Sequence, residues 1–470
     1  MLRASAFVLL VVQLSSRTAF AAPEPKVAPK GEGISKASAE RTIEGPAKKR
    51  PGALGSVAGS GASGPGSRPK ERGPKIPEAL RKQLEARLEG RVDRDLAKIK
   101  GLRDEAITLL TTFIAETPKN TREMPEALLR LGELKWELER EAFVSRFQAW
   151  EKKPAESRGT PPEPNYSAPR ELFGRVLRDY PWFPQYDLAL YVDGFMAAEQ
   201  GKSDEAFERF SRLLKEYPKS RFVPDAHMAK AESYFGVKYD YPAALAEYEA
   251  VLKFKDSDLY GLALFKSAWC LWRLNRSDEA VTRFVKVFEV TDKKKGASLS
   301  ERKQLDELEG EALKYLVEVF TEDEKNTATD MHRFLAKIGG DRFAVKIVRA
   351  LADTFYDQAH YERGIEAYEL LLKLDPTSRE APQWVLAIAQ GYDTLEDYPK
   401  LRKTYDRLLT NYTGQGSWAR TQSDPKLVAE VTERVRGLIL QSALAAHGKA
   451  QRDKSSQAEF EAAASLYELY

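Results

Sequence analysis

Six residues near the amino terminus have the spacing of a phosphate-binding motif. Residues 59–64, Gly-Ser-Gly-Ala-Ser-Gly, match G-x-G-x-x-G letter for letter. A dinucleotide site needs a strand before this motif and a helix after it, because the helix N-terminus holds the phosphates. Both flanks here are rich in Pro, Gly and Ser. The motif therefore does not predict a nucleotide site.

A second group of residues has part of the spacing of a calcium loop. Asp256, Asp258 and Gly261 occupy the first, third and sixth positions of such a loop. Its fifth position is Tyr260 and its twelfth is Ser267, where calcium binding needs a bidentate Glu. We interpret the two aspartates as a loop that caps the helix beginning near Leu259.

The remaining reactive side chains are isolated. Cys270 is the single cysteine and lies in an apolar run, which favours burial over nucleophilic chemistry. The four histidines are far apart and form no H-E-x-x-H motif: His227, His332, His360 and His447. Carboxylates alternate with Lys and Arg, as on solvated helix surfaces. We predict no catalytic residue, no cofactor and no metal site, and hence a protein that is not an enzyme.

Composition excludes further classes. The chain has 470 residues, and its 74 Lys and Arg against 71 Asp and Glu give a net charge of +3. This balance is too even for a nucleic-acid-binding protein, which concentrates a basic excess on one face. One cysteine excludes an intramolecular disulfide framework. At about 150 residues per domain the length fits roughly three domains or one long repeat array.

Residues 1–21 are predicted to be a signal peptide. Met1-Leu2-Arg3 is positively charged, an apolar run follows from Ala4 to Leu14, and Ala19-Phe20-Ala21 fits a cleavage site. We therefore expect export to the periplasm or cell envelope. No cysteine lies near the cleavage site, so a lipoprotein is not expected. No later run approaches the ~20 apolar residues of a membrane span, so we predict none in the mature chain.

Residues 22–75 are predicted to be a disordered linker. The segment is rich in Pro, Gly, Ser, Ala and Lys and has almost no large apolar residues, so it cannot bury enough surface to fold. It contains 11 Lys and Arg against 5 Glu. This basic charge could make weak electrostatic contact with anionic envelope surfaces, although the composition favours a solvated spacer.

The rest of the chain repeats a helical pattern. In residues 202–218, small Ala206 is followed by an aromatic residue, Phe210, four positions later and by Pro218 eight positions after that. Apolar residues recur at helical spacing between them. Equivalent small residues recur at steps of 36 to 38 residues: Ala206, Ala244 and Ala280, and then Gly364 and Leu401.

A second small residue precedes several of these by twelve positions, as Gly194 precedes Ala206. The unit near Ala244 is less regular, and there the pair at this spacing is Ala231 with Ala243. A small residue on each of two helices lets their backbones cross closely. The aromatic residue then fills the layer to the next pair. The pattern predicts successive antiparallel helix pairs and almost no β-structure.

This pattern resembles the tetratricopeptide repeat family, whose unit is a helix pair of about 34 residues. The resemblance extends over most of residues 76–470 and implies an all-α, superhelical solenoid of antiparallel helix pairs. Three regions depart from it. The periods are long, a Pro-rich insertion occupies about Gln148–Ser167, and Ser298–Gly340 is predicted to be a degenerate pair broken at Gly339-Gly340. Residues 459–470 resemble an unfinished second helix, so we expect the array to be incomplete at Tyr470, either because the chain is a fragment or because the array continues in a partner.

The resemblance also implies a binding face. In the family, the first helix of each pair lines the concave side, and its positions two, five, nine and twelve usually face the ligand. Carried over by register, the predicted partner-binding groove consists of Tyr191, Phe195, Met228, Phe235, Phe265, Trp269, Trp272, Arg349 and Tyr356. An aromatic groove suits an apolar segment or helix of a partner. Packing between repeats is the alternative, above all for Trp269 and Trp272.

The predicted function is a non-enzymatic protein-interaction scaffold in the bacterial periplasm or cell envelope. The combination of a signal peptide with such an array is similar to that of envelope machines such as gliding-motility complexes, and this is an analogy at the level of the fold. The alternative is the superhelical part of a peptidoglycan-processing enzyme such as a lytic transglycosylase. We expect envelope proteins as partners and no nucleic acid. The sequence does not identify the partner or the oligomeric state.

Overall fold

The computed structural model describes residues 78–293, 298–452 and 457–470. The predicted signal peptide, the predicted linker and the glycine motif at 59–64 lie outside these residues. Over the described ranges the chain forms helices joined by turns and contains no β-strand. The all-α prediction is therefore confirmed for this part of the chain.

The described residues divide into two compact units, with the boundary between Leu138 and Glu139. The first contains α1 (Glu78–Glu116) and the start of α2 (Met124–Glu151), and the boundary falls within α2. The second continues with α3 (Ser167–Asp179), α4 (Tyr186–Glu199), α5 (Ser203–Glu216), α6 (Val223–Ser233), α7 (Tyr241–Val251), α8 (Tyr260–Arg273), α9 (Ser277–Lys293), α10 (Leu299–Thr321), α11 (Ala328–Ile338), α12 (Ala344–Asp357), α13 (Tyr361–Leu374), α14 (Ala381–Thr394), α15 (Tyr398–Tyr412), α16 (Pro425–Arg452) and α17 (Gln457–Leu469).

Most consecutive helices of the second unit pack against each other, and the paired helices run antiparallel. In the pair α4–α5, Tyr186 at the start of α4 stacks on Tyr217 just beyond the end of α5, with ring centroids 5.7 Å apart. Asp193, in the second half of α4, bonds Arg209 in the middle of α5 at 2.8 Å. The start of one helix thus meets the end of the next, as predicted from the repeat pattern.

The predicted close crossings are present where the small residues lie. A Cβ atom added to Gly194 in α4 would lie 3.0 Å from Cβ of Arg209 and 3.1 Å from the ring of Phe210 in α5. A Cβ added to Gly364 in α13 would overlap the ring of Tyr356 in α12. These crossings leave no room for a larger side chain, which confirms the physical reason for the small residues.

Five turns between paired helices share one backbone conformation. A residue in the left-handed conformation stands two positions before the second helix, with φ between 54° and 70°: Gly201, Tyr239, Asn275, Ala359 and Glu396. Glycine adopts this conformation without cost, whereas other L-residues lose roughly 1–2 kcal/mol in it. The same turn is therefore built from five different residue types, most of them strained.

The pair α6–α7 contains one extra residue, and a π-helix accommodates it. Ala244 is fully buried and takes the small-residue place, whereas Ala243 is only half-buried. The pairing of Ala231 with Ala243 is thus wrong by one residue, and the true spacing is 13. A π-helix at Tyr234–Lys238, between α6 and the turn, absorbs the insertion because it takes more residues per turn than an α-helix.

The region from Ser298 to Gly340 forms two helices, but they are not a packed pair. α11 ends at Ile338, and Gly339 closes it in the left-handed conformation with φ of 74°, as the predicted break requires. However, α10 packs against α8, α9 and α12, whereas α11 packs against α12 and α13. The prediction of a degenerate pair is wrong, because a 23-residue α10 reaches helices on both sides of it.

The Pro-rich insertion folds back onto the second unit. The indole of Trp150 donates a hydrogen bond to the carbonyl of Gly159 at 2.9 Å, and the Arg158 guanidinium lies over the same indole ring. At the end of the insertion Tyr166 is fully buried, and its hydroxyl bonds the Glu199 carboxyl at 2.6 Å. Burial raises the pKa of Glu199. The end of the insertion is therefore docked on the second unit, whereas residues 151–161 are exposed and are held by contacts within the insertion.

Candidate functional site

Four of the nine residues predicted to line the groove are buried. Tyr191, Met228, Phe265 and Trp269 are 7%, 1%, 1% and 9% exposed. Tyr191 stacks on Phe222 with ring centroids 4.7 Å apart, so it bridges successive pairs. In this conformation these four side chains pack in the interior. Their direct contact with a partner stays a prediction without support from their exposure.

The other five are partly accessible, although most have internal partners. Phe195 and Phe235 are half-buried, and Phe235 packs edge-on against Tyr241. The hydroxyl of Tyr356 donates to the carbonyl of Ala387 at 2.6 Å, which fixes its ring against α14. Two more half-buried residues, Trp272 and Arg349, are also held by hydrogen bonds.

An aromatic cluster joins α8 to α10. The rings of Trp269 and Tyr315 lie 4.4 Å apart between centroids, and the Trp272 ring lies 5.0 Å from that of Trp269. The Arg273 guanidinium covers both indoles, and the Trp272 indole nitrogen donates to Glu322 at 2.9 Å. The cluster is closed on its inner side by Tyr315, while Trp272 is its accessible edge.

Carboxylates on the first helices tie consecutive helices together. In α6, Glu232 accepts hydrogen bonds from the Tyr248 hydroxyl of α7 at 2.7 Å and from the Lys266 ammonium of α8 at 3.2 Å. In α12, Asp353 accepts from the Tyr368 hydroxyl of α13 at 2.6 Å. Arg349 bridges Asp353 at 3.0 Å to Glu380, the residue that precedes α14. These acids are structural cross-links between consecutive helices.

A similar cross-link has an acid without a cation in contact. Asp225 at the start of α6 accepts a hydrogen bond from the Tyr191 hydroxyl of α4. Burial, together with the nearby charge of Asp258, raises the pKa of Asp225 to about 6. The ionised form of this carboxyl is therefore disfavoured by its surroundings.

The reactive side chains singled out in the sequence are engaged or shielded. Cys270 is fully buried, and burial raises the pKa of its thiol to about 12, so almost no thiolate forms near neutral pH. The ring of His227 bonds Glu247 at 2.6 Å, and Glu247 also pairs with Lys230. Within the described ranges, no three His, Cys, Asp or Glu side chains converge in a way that could hold a metal ion.

The second unit contains an open cavity of about 480 Å³ between the facing helices α10 and α12. Its lining combines apolar side chains with polar and charged ones: Gly310, Leu313, Lys314, Val317, Glu318, Thr321, Ala350, Asp353, Thr354 and Gln358. Burial raises the pKa of Glu318, and the charge of Glu322 adds to this effect. We call this cavity the α10–α12 groove.

The groove is compatible with a bound segment for two reasons. Gly310 in α10 has open space where its Cβ would be, so this wall stands clear of the neighbouring helices. Lys314, Glu318 and Gln358 are exposed at the rim, where they can exchange hydrogen bonds with a ligand. None of the residues lining it belongs to the groove that sequence analysis predicted by register, because α10 lies outside the regular repeat.

One stretch of the chain matches a family model. Residues 194–220, which cover the second half of α4 and all of α5, match the tetratricopeptide repeat. The match supports the resemblance drawn from the repeated small and aromatic residues. No curated protein matches the chain. In the part of the chain that the structure describes, no helix combines the length and apolar character needed to cross a bilayer.

Several solved structures are similar to this chain at low identity. The C-terminal part of a TPR repeat-containing protein from Cytophaga hutchinsonii is 14% identical, covers 62% of this chain and 97% of its own, and has a TM-score of 0.29. A tetratricopeptide repeat protein from Parabacteroides merdae is 14% identical, with coverages of 63% and 99% and a TM-score of 0.25. The TPR2AB domain of yeast Sti1, solved with pHSP90, is 13% identical, with coverages of 61% and 98% and a TM-score of 0.28.

Proposed function

We propose that this chain is a non-enzymatic scaffold that binds a segment of a partner protein in the α10–α12 groove. Proteins built from repeats of the type matched at residues 194–220 generally mediate protein–protein interactions. The predicted signal peptide supports the finer proposal that the partner is a protein of the bacterial periplasm or cell envelope. A motility or envelope-assembly machine is the setting we favour.

The α10–α12 groove is the observation that carries this proposal. The half-buried side chains of Leu313 and Ala350 provide an apolar surface between two helices, the buried Val317 lies beneath it, and charged side chains lie at its edge. This division into an apolar centre and a polar rim is typical of surfaces that bind protein segments. The internal pairing of Glu232 and Asp353 gives both acids a structural role between helices.

The first test fills the groove without straining the fold. Gly310→Leu places a side chain into open space, and replacing a mid-helix glycine should raise the free energy of unfolding by about 0.5–1 kcal/mol. The same side chain should exclude a bound segment. We therefore expect a more stable protein that loses partner capture, measured by in-cell crosslinking of the full chain, pulldown and mass spectrometry.

Gly437→Leu is the matched control. Gly437 also lies within a long helix, α16, with open space at its Cβ position, but it is not part of the groove. This variant should gain similar stability and retain the partners of the unsubstituted chain. Equal capture by both variants would remove the groove from the proposal. Capture of peptidoglycan fragments instead of protein would favour the wall-enzyme alternative.

Export is tested separately. If residues 1–21 direct secretion, the protein recovered from cells should begin at Ala22 and fractionate with the periplasm. Deleting residues 2–21 should leave it in the cytoplasm with an unchanged circular dichroism spectrum. Retention of Met1 on the protein in the envelope fraction would contradict cleavage after Ala21.

A further inference from the structure

The two ends of the α10–α12 groove differ in charge. One residue before its first lining residue, Gly310, the Glu309 carboxylate of α10 pairs with the Lys346 ammonium of α12. From there the lining extends to Thr321, the last residue of α10, and to Gln358, which directly follows α12. The groove therefore ends where both helices end. Because the carboxyl end of a helix carries a partial negative charge, this end of the groove is suited to a cation.

Acidic side chains are concentrated at the same end. Glu318 lines the groove and is exposed, and exposed Glu322, Asp323 and Glu324 directly follow α10. The indole of Trp272, an uncharged donor, gives a hydrogen bond to Glu322. Across the part of the chain that the structure describes, no Lys or Arg forms an ion pair with Glu318 or Glu322. The negative charge at this end thus has no paired cation.

Two cations near Glu318 are held against aromatic rings. The Lys314 ammonium lies 5.0 Å from the centre of the Tyr315 ring, and the Arg273 guanidinium lies over two indole rings of α8. Burial raises the pKa of Glu318 and the charge of Glu322 adds to this effect, whereas Lys314 and Arg273 oppose it without cancelling it. The approach of a further cation would therefore stabilise the ionised carboxylate of Glu318.

The apolar part of the groove lies within reach of Glu318. Leu313 and Ala350 are half-buried, and Leu313 precedes Glu318 by five residues, a rise of about 7.5 Å along α10. Side chains two positions apart in an extended chain point to the same side and lie about 7 Å apart. An extended segment can therefore place one side chain beside Leu313 and another beside Glu318.

We infer that the α10–α12 groove selects a segment of a partner protein in which an apolar residue and a lysine or arginine are two positions apart. The apolar side chain packs between Leu313 and Ala350, and the cation lies beside Glu318 at the carboxyl ends of α10 and α12. This inference rests on the proposed function, in which the groove binds a partner segment. An acidic segment is rejected because its carboxylate would meet Glu318 and Glu322.

The test selects ligands from a library of random peptides. Dodecapeptides displayed on phage are selected on the purified full chain and, in parallel, on Gly310→Leu, whose added side chain fills the groove. Peptides that bind only the unsubstituted chain are groove ligands. We expect groove ligands to carry Lys or Arg two positions from a large apolar residue several times more often than the unselected library does. Asp and Glu should be depleted from the same positions.

Charge exchange tests the role of Glu318. Glu318→Lys should weaken the binding of a selected basic peptide by about three- to tenfold, since a like-charge contact replaces an exposed ion pair. Replacing the Lys of that peptide by Glu should restore binding to Glu318→Lys and weaken binding to the unsubstituted chain. Fluorescence anisotropy of the labelled peptide measures each Kd, and circular dichroism checks that the helix content is unchanged.

Glu433→Lys is the matched control. Glu433 is exposed in α16, outside the groove, and its replacement changes the net charge by the same amount. This variant should bind the basic peptide with the Kd of the unsubstituted chain. Equal weakening by Glu318→Lys and Glu433→Lys would overturn the inference, because net charge and not Glu318 would then select the ligand.

The outcomes separate this inference from the proposed function. Groove ligands that show no preference for Lys or Arg, or that prefer Asp or Glu, would overturn the inference and leave the groove as a binding site. A library that yields no peptide rejected by Gly310→Leu would remove the groove from both proposals.

Discussion

Gly364 and Gly310 are glycines within helices of the same unit, yet their surroundings are opposite. A Cβ atom on Gly364 would overlap the Tyr356 ring, because α12 and α13 cross at this point. A Cβ atom on Gly310 would meet no atom within 4 Å, because α10 is separated there from α12 by the groove. At a closed crossing, such as that of Gly364, packing requires glycine. At an open wall, such as that of Gly310, packing does not restrict the residue type.

The comparison shows that glycine occurs in two different environments within this helical array. At a closed crossing, glycine is needed because its neighbour already occupies the space. At the open wall, glycine weakens its own helix by about 1 kcal/mol relative to alanine and has no packing reason. Gly437 in α16 has the same open surroundings, so the glycine alone does not mark a binding site. We place partner binding at the groove because an apolar centre and a polar rim lie beside Gly310.

The largest expected effect comes from a substitution at the closed crossing of α12 and α13. Gly364→Ala should lower the free energy of unfolding by about 2–3 kcal/mol, since overpacking outweighs the gain in helix propensity. Gly310→Ala should raise it by about 0.5–1 kcal/mol. Urea denaturation of the two variants measures both values. A stabilising Gly364→Ala would mean that the Tyr356 ring moves aside and that the crossing is not closed.

The second prediction concerns a buried charge, the carboxyl group of Asp225. The pKa of Asp225 is raised in the folded protein, so its ionisation removes stability as the pH rises from about 4 to about 6. Asp225→Asn should therefore stabilise the protein by about 1–2 kcal/mol at pH 7 and have little effect below pH 4. Urea denaturation at several pH values checks this. A stability difference that does not change with pH would show that burial does not raise the pKa of Asp225.

The smallest expected effect concerns the turns that connect the closed crossings. Ala359 is exposed and adopts φ of 60°, so Ala359→Gly should relieve backbone strain and raise the free energy of unfolding by about 0.5–1 kcal/mol. Gly201→Ala at the equivalent turn should lower it by a similar amount. Thermal denaturation of both variants provides the measurement. Equal signs would contradict a shared turn geometry.

The fold of the second unit could be predicted well because its signal is local. The small residue and the aromatic residue four positions later lie on one helix face, and the structure buries Phe210, Tyr248 and Phe284 almost completely. The inserted residue near Ala231 was misjudged for the opposite reason. A π-helix and a pair of small residues shifted by one position look alike in the sequence. Only the burial of Ala244 distinguishes them.

The candidate site was harder to predict because family positions do not face solvent equally. Tyr191, Met228 and Phe265 all occupy the fifth position and are buried. Residues at the twelfth position, such as Trp272, keep accessible surface. At the ninth position Phe195 is half-buried whereas Trp269 is buried, and at the fifth position Arg349 is only half-buried. The α10–α12 groove lies where α10 departs from the repeat, so a register carried over from regular units could not reach most of its lining.

The order in which helices contact each other has a consequence for how this protein folds and for how far a destabilising substitution acts along the chain. Most packing joins helices that are adjacent in the chain, so few long loops must close before native contacts form. Folding can then begin at any pair and spread to its neighbours, as in a one-dimensional chain of coupled units. Damage at one pair should likewise remain near it. Hydrogen exchange in Gly364→Ala would rise first in α12 and α13, and helices far along the chain would keep their protection.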